Sequence, residues 1–193
     1  MEILKSDVES IYKLDLLFEI VVNIRDKQGF KRVEIFVFID NNLILETAII
    51  REYYLEEKIV KHSVCMLSEQ YRGQNYLSKF HLRELEFYKK LGFTKIELSA
   101  TYDGLVVWSR KPFNFQYIDR NDELILIKHF REYLRKHRKM NKVEISTITS
   151  NIKFSKDINS KYLKSNQEFK SFTDWLIEDK KSPLAIRMSK EIV

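Results

Sequence analysis

The sequence predicts a mixed α/β fold: a mostly antiparallel central sheet, helices on both of its faces, and a helical C-terminal elaboration. Three observations predict it. Strand-like alternation and β-branched runs fill the chain up to Leu67, the apolar period becomes helical from Asn75, and a strand–helix–strand pattern follows between 94 and 118. A meander feeding a right-handed β-α-β crossover gives a mixed sheet, because a crossover joins parallel strands.

Each element has its own signal. "YKLDLLFEIVVNI" (12–24) is apolar and β-branched, and Gly29 breaks it. "RVEIFVFID" (32–40) alternates Val33, Ile35, Val37 and Ile39 with Glu34, Phe36 and Phe38, the period of a strand covered on at least one face. Asn41-Asn42 supplies residues that tolerate the positive φ of a tight hairpin. "LILETAII" (43–50) is the returning strand; "REYYLEEK" (51–58) either extends it or loops before "IVKHSVCML" (59–67). Leu77, Phe80, Leu85, Tyr88 and Leu91 then form a helical stripe that Gly92 stops. "TKIELSA" (94–100) is a strand, "DGLVVWSRK" (103–111) a short helix ended by Pro112, and "FNFQYI" (113–118) another strand. Residues 122–139 read as helix, the β-branched 142–154 as strand, and 165–179 as a helix with Ser165 and Glu168 in a capping box.

Composition narrows the class. With 193 residues, 44% hydrophobic and 32% charged, the chain fits one globular domain, and its apolar runs are too short for a membrane span. The single Cys65 forms no internal disulfide and reads as a small buried hydrophobe. With an acidic N-terminus that lacks a secretory pattern, this sets the expectation of a cytoplasmic protein. A net charge of +6 points to anionic partners, and much of the excess lies in residues 128–143, a helix with Ile127, Phe130, Leu134 and Met140 on its apolar side. Its solvated basic face is a nucleic-acid candidate, without zinc-finger spacing or an RNA-binding aromatic signature to support it. His62, His81, His129 and His137 show no metal-ligand spacing, so no metal is expected. Trp175 reads as a core anchor.

The junction "EQYRGQNYLSKF" (69–80) carries the chemistry. A helix beginning near Asn75 leaves its first N–H groups without internal partners, at the end where its dipole favours negative charge. Gly73 permits close backbone approach, Asn75 tolerates the left-handed conformation, and Arg72 adds charge. This suits a pyrophosphate. It is neither a Walker loop nor a dinucleotide fingerprint, because Gly73 is its only glycine.

The order meander, Arg-Gly turn, amphipathic helix, "KKLGFTKIELSA" and short helix into "WSRKPFNF" resembles the GNAT superfamily of CoA-dependent N-acyltransferases. The family signature, Arg/Gln-x-x-Gly-x-Gly/Ala, can be laid on the chain in two registers, from Gln70 or from Arg72, each with departures; the second is preferred because it leaves a helix of typical length before Gly92. The resemblance covers about residues 30–118 of a single domain spanning 1–193, with 119–193 as the elaboration. Asn75 and Leu77 stand for the two small residues of the signature, Trp108 for the usual Tyr, and Pro112 for Gly. The resemblance implies acetyl-CoA, or another acyl-CoA, as co-substrate. It places the backbone of Val64, Cys65 and Met66 along the pantetheine arm. Arg72 and the amides of Gly73, Gln74, Asn75, Tyr76 and Leu77 hold the pyrophosphate, with Trp108 near the thiol. The acceptor is an amine on a small molecule, peptide or protein, and it attacks the acyl carbon directly. Glu69 and Tyr102 are the candidates for proton transfer, with Glu34, Glu46 and Glu52 as rivals for the base. The other reading is a catalytically inactive scaffold that uses residues 128–143 to hold nucleic acid or a protein partner. A homodimer through the C-terminal helices fits either.

Overall fold

A computed structural model of the protein describes residues 2–101, 104–110, 113–178 and 186–193, apart from the side chains of Glu69, Leu105 and Ile177. Its internal contacts divide the chain into two compact units: Met1–Leu98 with Ser189–Val193, and Ser99–Met188. Among the described residues no helix is long and apolar enough to cross a membrane.

In the first unit the strand expected over 12–24 starts late, because helix α1 (Lys5–Tyr12) precedes it. Val8, Ile11 and Tyr12, at helical spacing, give α1 a buried face. Strands β1 (Phe18–Lys27) and β2 (Phe30–Ile39) form a long hairpin, paired from Phe18↔Ile39 to Lys27↔Phe30 around Gly29 at φ +84°. The alternation in β2 is real: Val33, Ile35 and Val37 are buried. The next turn sits at Asp40-Asn41, both with positive φ, one residue earlier than the Asn pair suggested. The strand expected over 43–50 is broken. Only β3 (Asn42–Leu43) pairs back on β2, and the chain re-enters as β4 (Ile49–Tyr54), beside both β2 and β5 (Ile59–Val64).

Helix α2 (Tyr76–Lys90) crosses over from β5 to β6 (Lys95–Ala100), which runs parallel to β5, while the pairings β1·β2, β2·β3, β2·β4 and β4·β5 are antiparallel. Gly92, at φ +71°, ends the helix as expected. Helices α1 and α2 pack together on one face of the sheet, Tyr12 against Phe80 at 5.2 Å and Phe18 against Tyr76 at 5.6 Å. Arg83 of α2 donates to Lys13 O at 2.7 Å, which satisfies carbonyls at the end of α1. The other face of β2, β4 and β5 is half-exposed and mixed: Phe36, Ile50 and Ile59 lie among charged residues, with Arg32 between Glu34 and Glu52 and with Lys61 over the Tyr54 ring.

The second unit holds α3 (Gly104–Val107), β7 (Gln116–Tyr117), α4 (Arg120–Lys136), α5 (Lys142–Thr149), α6 (Phe172–Glu178) and the start of β8 (Ile186–Glu191). Next to β7, Ile118 N–H donates to Arg187 O at 3.1 Å. The end of β8 belongs to the first unit, where Ile192 N–H reaches Thr94 O at 2.9 Å. The strand expected over 113–118 is reduced to two residues.

Residues 142–154 overturn the strand reading. Asn141 Oδ1 accepts from the N–H groups of Val143 and Glu144, and Glu144 Oε2 accepts from Asn141 N–H at 2.8 Å. This capping box starts α5 despite its β-branched residues. The C-terminal helix starts at Phe172, not Ser165: Ser171 Oγ accepts from Asp174 N–H at 3.0 Å, and Ser165 Oγ instead accepts from Ser171 N–H. The core of this unit is aromatic. Phe130 lies 5.2 Å from both Tyr162 and Phe172, and Trp175, buried as expected, lies 5.8 Å from Tyr133.

Candidate functional site

The parallel ladder between β5 and β6 ends at His62↔Leu98, although β5 runs on to Val64. On the other edge of β5 the register steps from Arg51↔His62 to Ile50↔Val64, which leaves Ser63 as an extra residue. A bulge of this kind bends its strand and increases the local twist. Val64, Cys65 and Met66 therefore leave β5 on a changed course. Glu46 N–H donates to Met66 O and Ser68 N–H to Ile44 O, both at 3.0 Å, which pins the segment to residues 44–46 around the Leu45↔Leu67 bridge.

After a 3-10 turn (Glu69–Tyr71) the chain reaches the expected cradle. Gly73 has φ +79° and Asn75, the residue ahead of α2, has φ +64°. A Cβ placed on Gly73 would meet nothing within 4 Å, so this corner is open. No side chain caps the start of α2 and its first turn carries no acidic residue. The first N–H groups at Tyr76 and Leu77 thus face no competing side-chain acceptor at the positive end of the helix dipole. Gln74 turns back, its Nε2 donating to Gln70 O at 3.0 Å. Arg72 is committed within the chain: its Nη2 lies 2.5 Å from Glu46 Oε1 and its Nε donates to Leu67 O at 3.0 Å.

Beneath the sheet lies a polar cluster that sequence reasoning missed. Arg51 Nε donates to Glu84 Oε1 at 2.8 Å, with both side chains only 2% exposed. Tyr12 Oη donates to the same oxygen. Arg51 Nη1 also donates to Ile50 O and Val64 O, both at 3.0 Å. His62 Nε2 lies 3.1 Å from Tyr88 Oη, and His81 Nδ1 lies 3.9 Å from Glu84 Oε2. Burial and then the charge of Arg51 hold His62 well below its usual pKa, and burial lowers His81 to about 4. Both imidazoles are neutral at pH 7. Burial, the largest influence, works against charge on Arg51 as well, but Glu84 joined by Tyr12, Tyr88 and Cys65 outweighs it and keeps the guanidinium protonated.

His62, His81 and Glu84 offer ligand atoms within 4.8 Å of one another. The signal that could have found part of this group is His81-x-x-Glu84, one turn of helix. Its chemistry does not suit a divalent cation, because Glu84 is spent on Arg51 and Tyr12 and the guanidinium would repel a second buried positive charge. The cluster is a positioning device: it ties α1, α2 and β4 to the Val64 carbonyl.

Cys65 is half-buried, and burial pushes its thiol above the ordinary range, so it is a poor nucleophile at neutral pH. Of the candidates for proton transfer, the Glu69 side chain and Tyr102 lie outside the described residues, as does Pro112. Glu34 and Glu52 are engaged by Arg32, and Glu46 by Arg72. Trp108 belongs to the second unit, packed edge-on against Phe113 at 4.6 Å and Phe115 at 5.7 Å.

No family model matches the chain, and no curated protein matches it. Among solved structures it is similar to a crystal structure of nourseothricin acetyltransferase, with 13% identity over 60% of this chain and 81% of that one. The TM-score is 0.38, too slight a likeness to carry an argument.

Proposed function

We propose that the protein is an acyl-CoA-dependent N-acyltransferase, moving an acetyl or other short acyl group to an amine. The observation that carries this reading is the continuous path from the bulged end of β5 to the open turn at Gly73 and the uncapped start of α2. Main-chain donors there meet the needs of an extended pantetheine arm and its pyrophosphate. The order of elements around the Arg72-Gly73 motif, which resembles the GNAT signature, supports the same reading.

In this reading the carbonyls of Val64 and Met66 are held by Arg51 and Glu46, and the amides of the segment face the thioester. Arg72 braces the cradle first and adds its field to the pyrophosphate second. The acceptor amine attacks the acyl carbon directly, consistent with the poor nucleophilicity of Cys65. Glu69 and Tyr102 remain the proposed proton-transfer groups, and Trp108 a proposed contact of the cofactor.

Titration of the full chain with acetyl-CoA tests this. Ligand at 100 times its Kd adds about 2.7 kcal/mol of stability, a clear rise in Tm. Gly73→Asn tolerates the positive φ and places a side chain over the amides. It is expected to lose at least tenfold in affinity while folding normally. No thermal shift at 1 mM acetyl-CoA, or unchanged affinity in Gly73→Asn, overturns the proposal.

A further inference from the structure

The charge of this chain is concentrated rather than spread. Residues 128–143 contain seven Lys or Arg and one Glu, a net +6, which equals the excess of the whole chain; the other residues sum to zero. Helix α4 buries Leu126, Ile127, Phe130, Tyr133 and Leu134 in its own unit. It turns Lys128, Arg131, Arg135 and Lys136 to solvent, and Lys139 and Lys142 follow in the same exposed run. Lys128, Arg131 and Arg135 fall at i, i+3 and i+7, one row of cations about 10 Å long at the helical rise.

The bland explanation covers only part of this. Basic residues in a last turn complement the helix dipole, which accounts for Arg135 and Lys136. It leaves four more. Among the described residues none of these six cations has an ion-pair partner, and the one acid of the stretch, Glu132, lies against His129 at 3.4 Å. Like charges at i, i+3 and i+4, with Glu132 the one carboxylate set among them, work against the helix that carries them, so a polyanion would relieve the strain. Arg138 has a different task. It stacks over Phe169 at 4.0 Å and fixes the segment to the aromatic core.

We propose that the exposed cation row of α4 and the residues after it bind the phosphate backbone of nucleic acid without reading its sequence. The partner's chemistry follows from what the face lacks. Phe130 and Tyr133, the two phenyl-ring residues of the stretch, are buried, and the half-buried rings of His129 and His137 are engaged by Glu132 and Lys170, which leaves base readout a poor platform there. A membrane surface would ask for a continuous apolar strip beside the cations; α4 spends most of its apolar residues on its own core and leaves only Leu124, Ile125 and, past its end, Val143 exposed at the two ends of the row. His137 adds nothing to the charge at neutral pH: burial, then Arg138 and Lys170, lower its pKa, and its Nε2 accepts from Lys170 N–H.

The test is fluorescence anisotropy of the full chain with labelled 20-base-pair DNA and RNA duplexes of unrelated sequence, between 50 and 200 mM KCl. Four to six phosphate contacts predict a log–log salt slope of about −3.5 to −5.5, alike for every sequence. Arg131→Glu/Arg135→Glu/Lys139→Glu should weaken binding at least tenfold at 100 mM KCl. Lys13→Glu/Lys27→Glu/Lys90→Glu, which removes the same charge from exposed sites elsewhere, should change it less than twofold. The milder Arg131→Gln/Arg135→Gln should flatten the slope by about two. Absent binding at 50 mM KCl, or equal losses in the two charge-reversed proteins, overturns the proposal. So does capture by vesicles containing phosphatidylserine when neither duplex is bound.

Discussion

Two arginine–glutamate pairs bracket the same short piece of chain, and they differ in almost everything except chemistry. Arg51–Glu84 lies beneath the sheet with both side chains 2% exposed; Arg72–Glu46 lies at its mouth, 53% and 42% exposed. Each arginine spends one arm on its glutamate and another on a main-chain carbonyl, Val64 for the first and Leu67 for the second. The difference teaches how one motif serves two ends. Deep in the protein, removing one partner strands a charge in a poor solvent, so the pair polices the fold. At the surface water replaces a lost partner cheaply, so the pair is free to serve the turn beside it.

The comparison breaks most easily at Glu84. Glu84→Ala leaves Arg51 and Tyr12 without their shared acceptor and is expected to cost about 3–5 kcal/mol in denaturant unfolding. Arg51→Met/Glu84→Leu should recover most of that, since well-packed apolar residues replace a buried pair at little cost. A single variant that unfolds at the wild-type midpoint would show that the pair is not what holds α2 down.

Acid sharpens the contrast next. His62 and His81 have folded pKa values below the ordinary 6.5, so between that value and about 4 the unfolded chain binds more protons. Stability is therefore complete above about pH 6.5 and falls as pH drops through this window, with His81 alone contributing about 3 kcal/mol. Thermal melts from pH 7.5 to 4.5 check it, and His81→Gln should flatten the fall.

The smallest effect belongs to the exposed pair. Glu46→Ala should cost less than about 1 kcal/mol in the same unfolding measurement. If the acyl-CoA reading holds, it should also change CoA affinity, because a released Arg72 no longer braces the turn. A stability loss as large as that of Glu84→Ala would erase the distinction between the two pairs.

What the sequence disclosed, and what it hid, follows the reach of its signals. Alternation found β2, Gly29 marked the break where β1 turns into β2, and the stripe Leu77–Phe80–Tyr88 found α2, because each pattern is local. The capping box at Asn141 was equally local but was outweighed by β-branched residues 143–149, and α5 was read as strand. The two-residue β7 and the C-terminal β8 depend on distant partners that no short window contains. For the site, the positive φ at Gly73 and Asn75 and the open corner were legible from residue type. Arg51, Glu84, His62 and His81 were not: the pair is separated by 33 positions, and its members look like ordinary charges on a strand and a helix.

A salt bridge that joins β4 to α2 under the sheet also constrains how the unit comes apart. Arg51 cannot lose Glu84 by a small outward swing of α2 without facing a dry interior alone. Detachment of the helix must therefore open the strands around Arg51 to water in the same event. Amide hydrogens on α2 and on the central strands should then exchange with deuterium at a common rate, as one cooperative block.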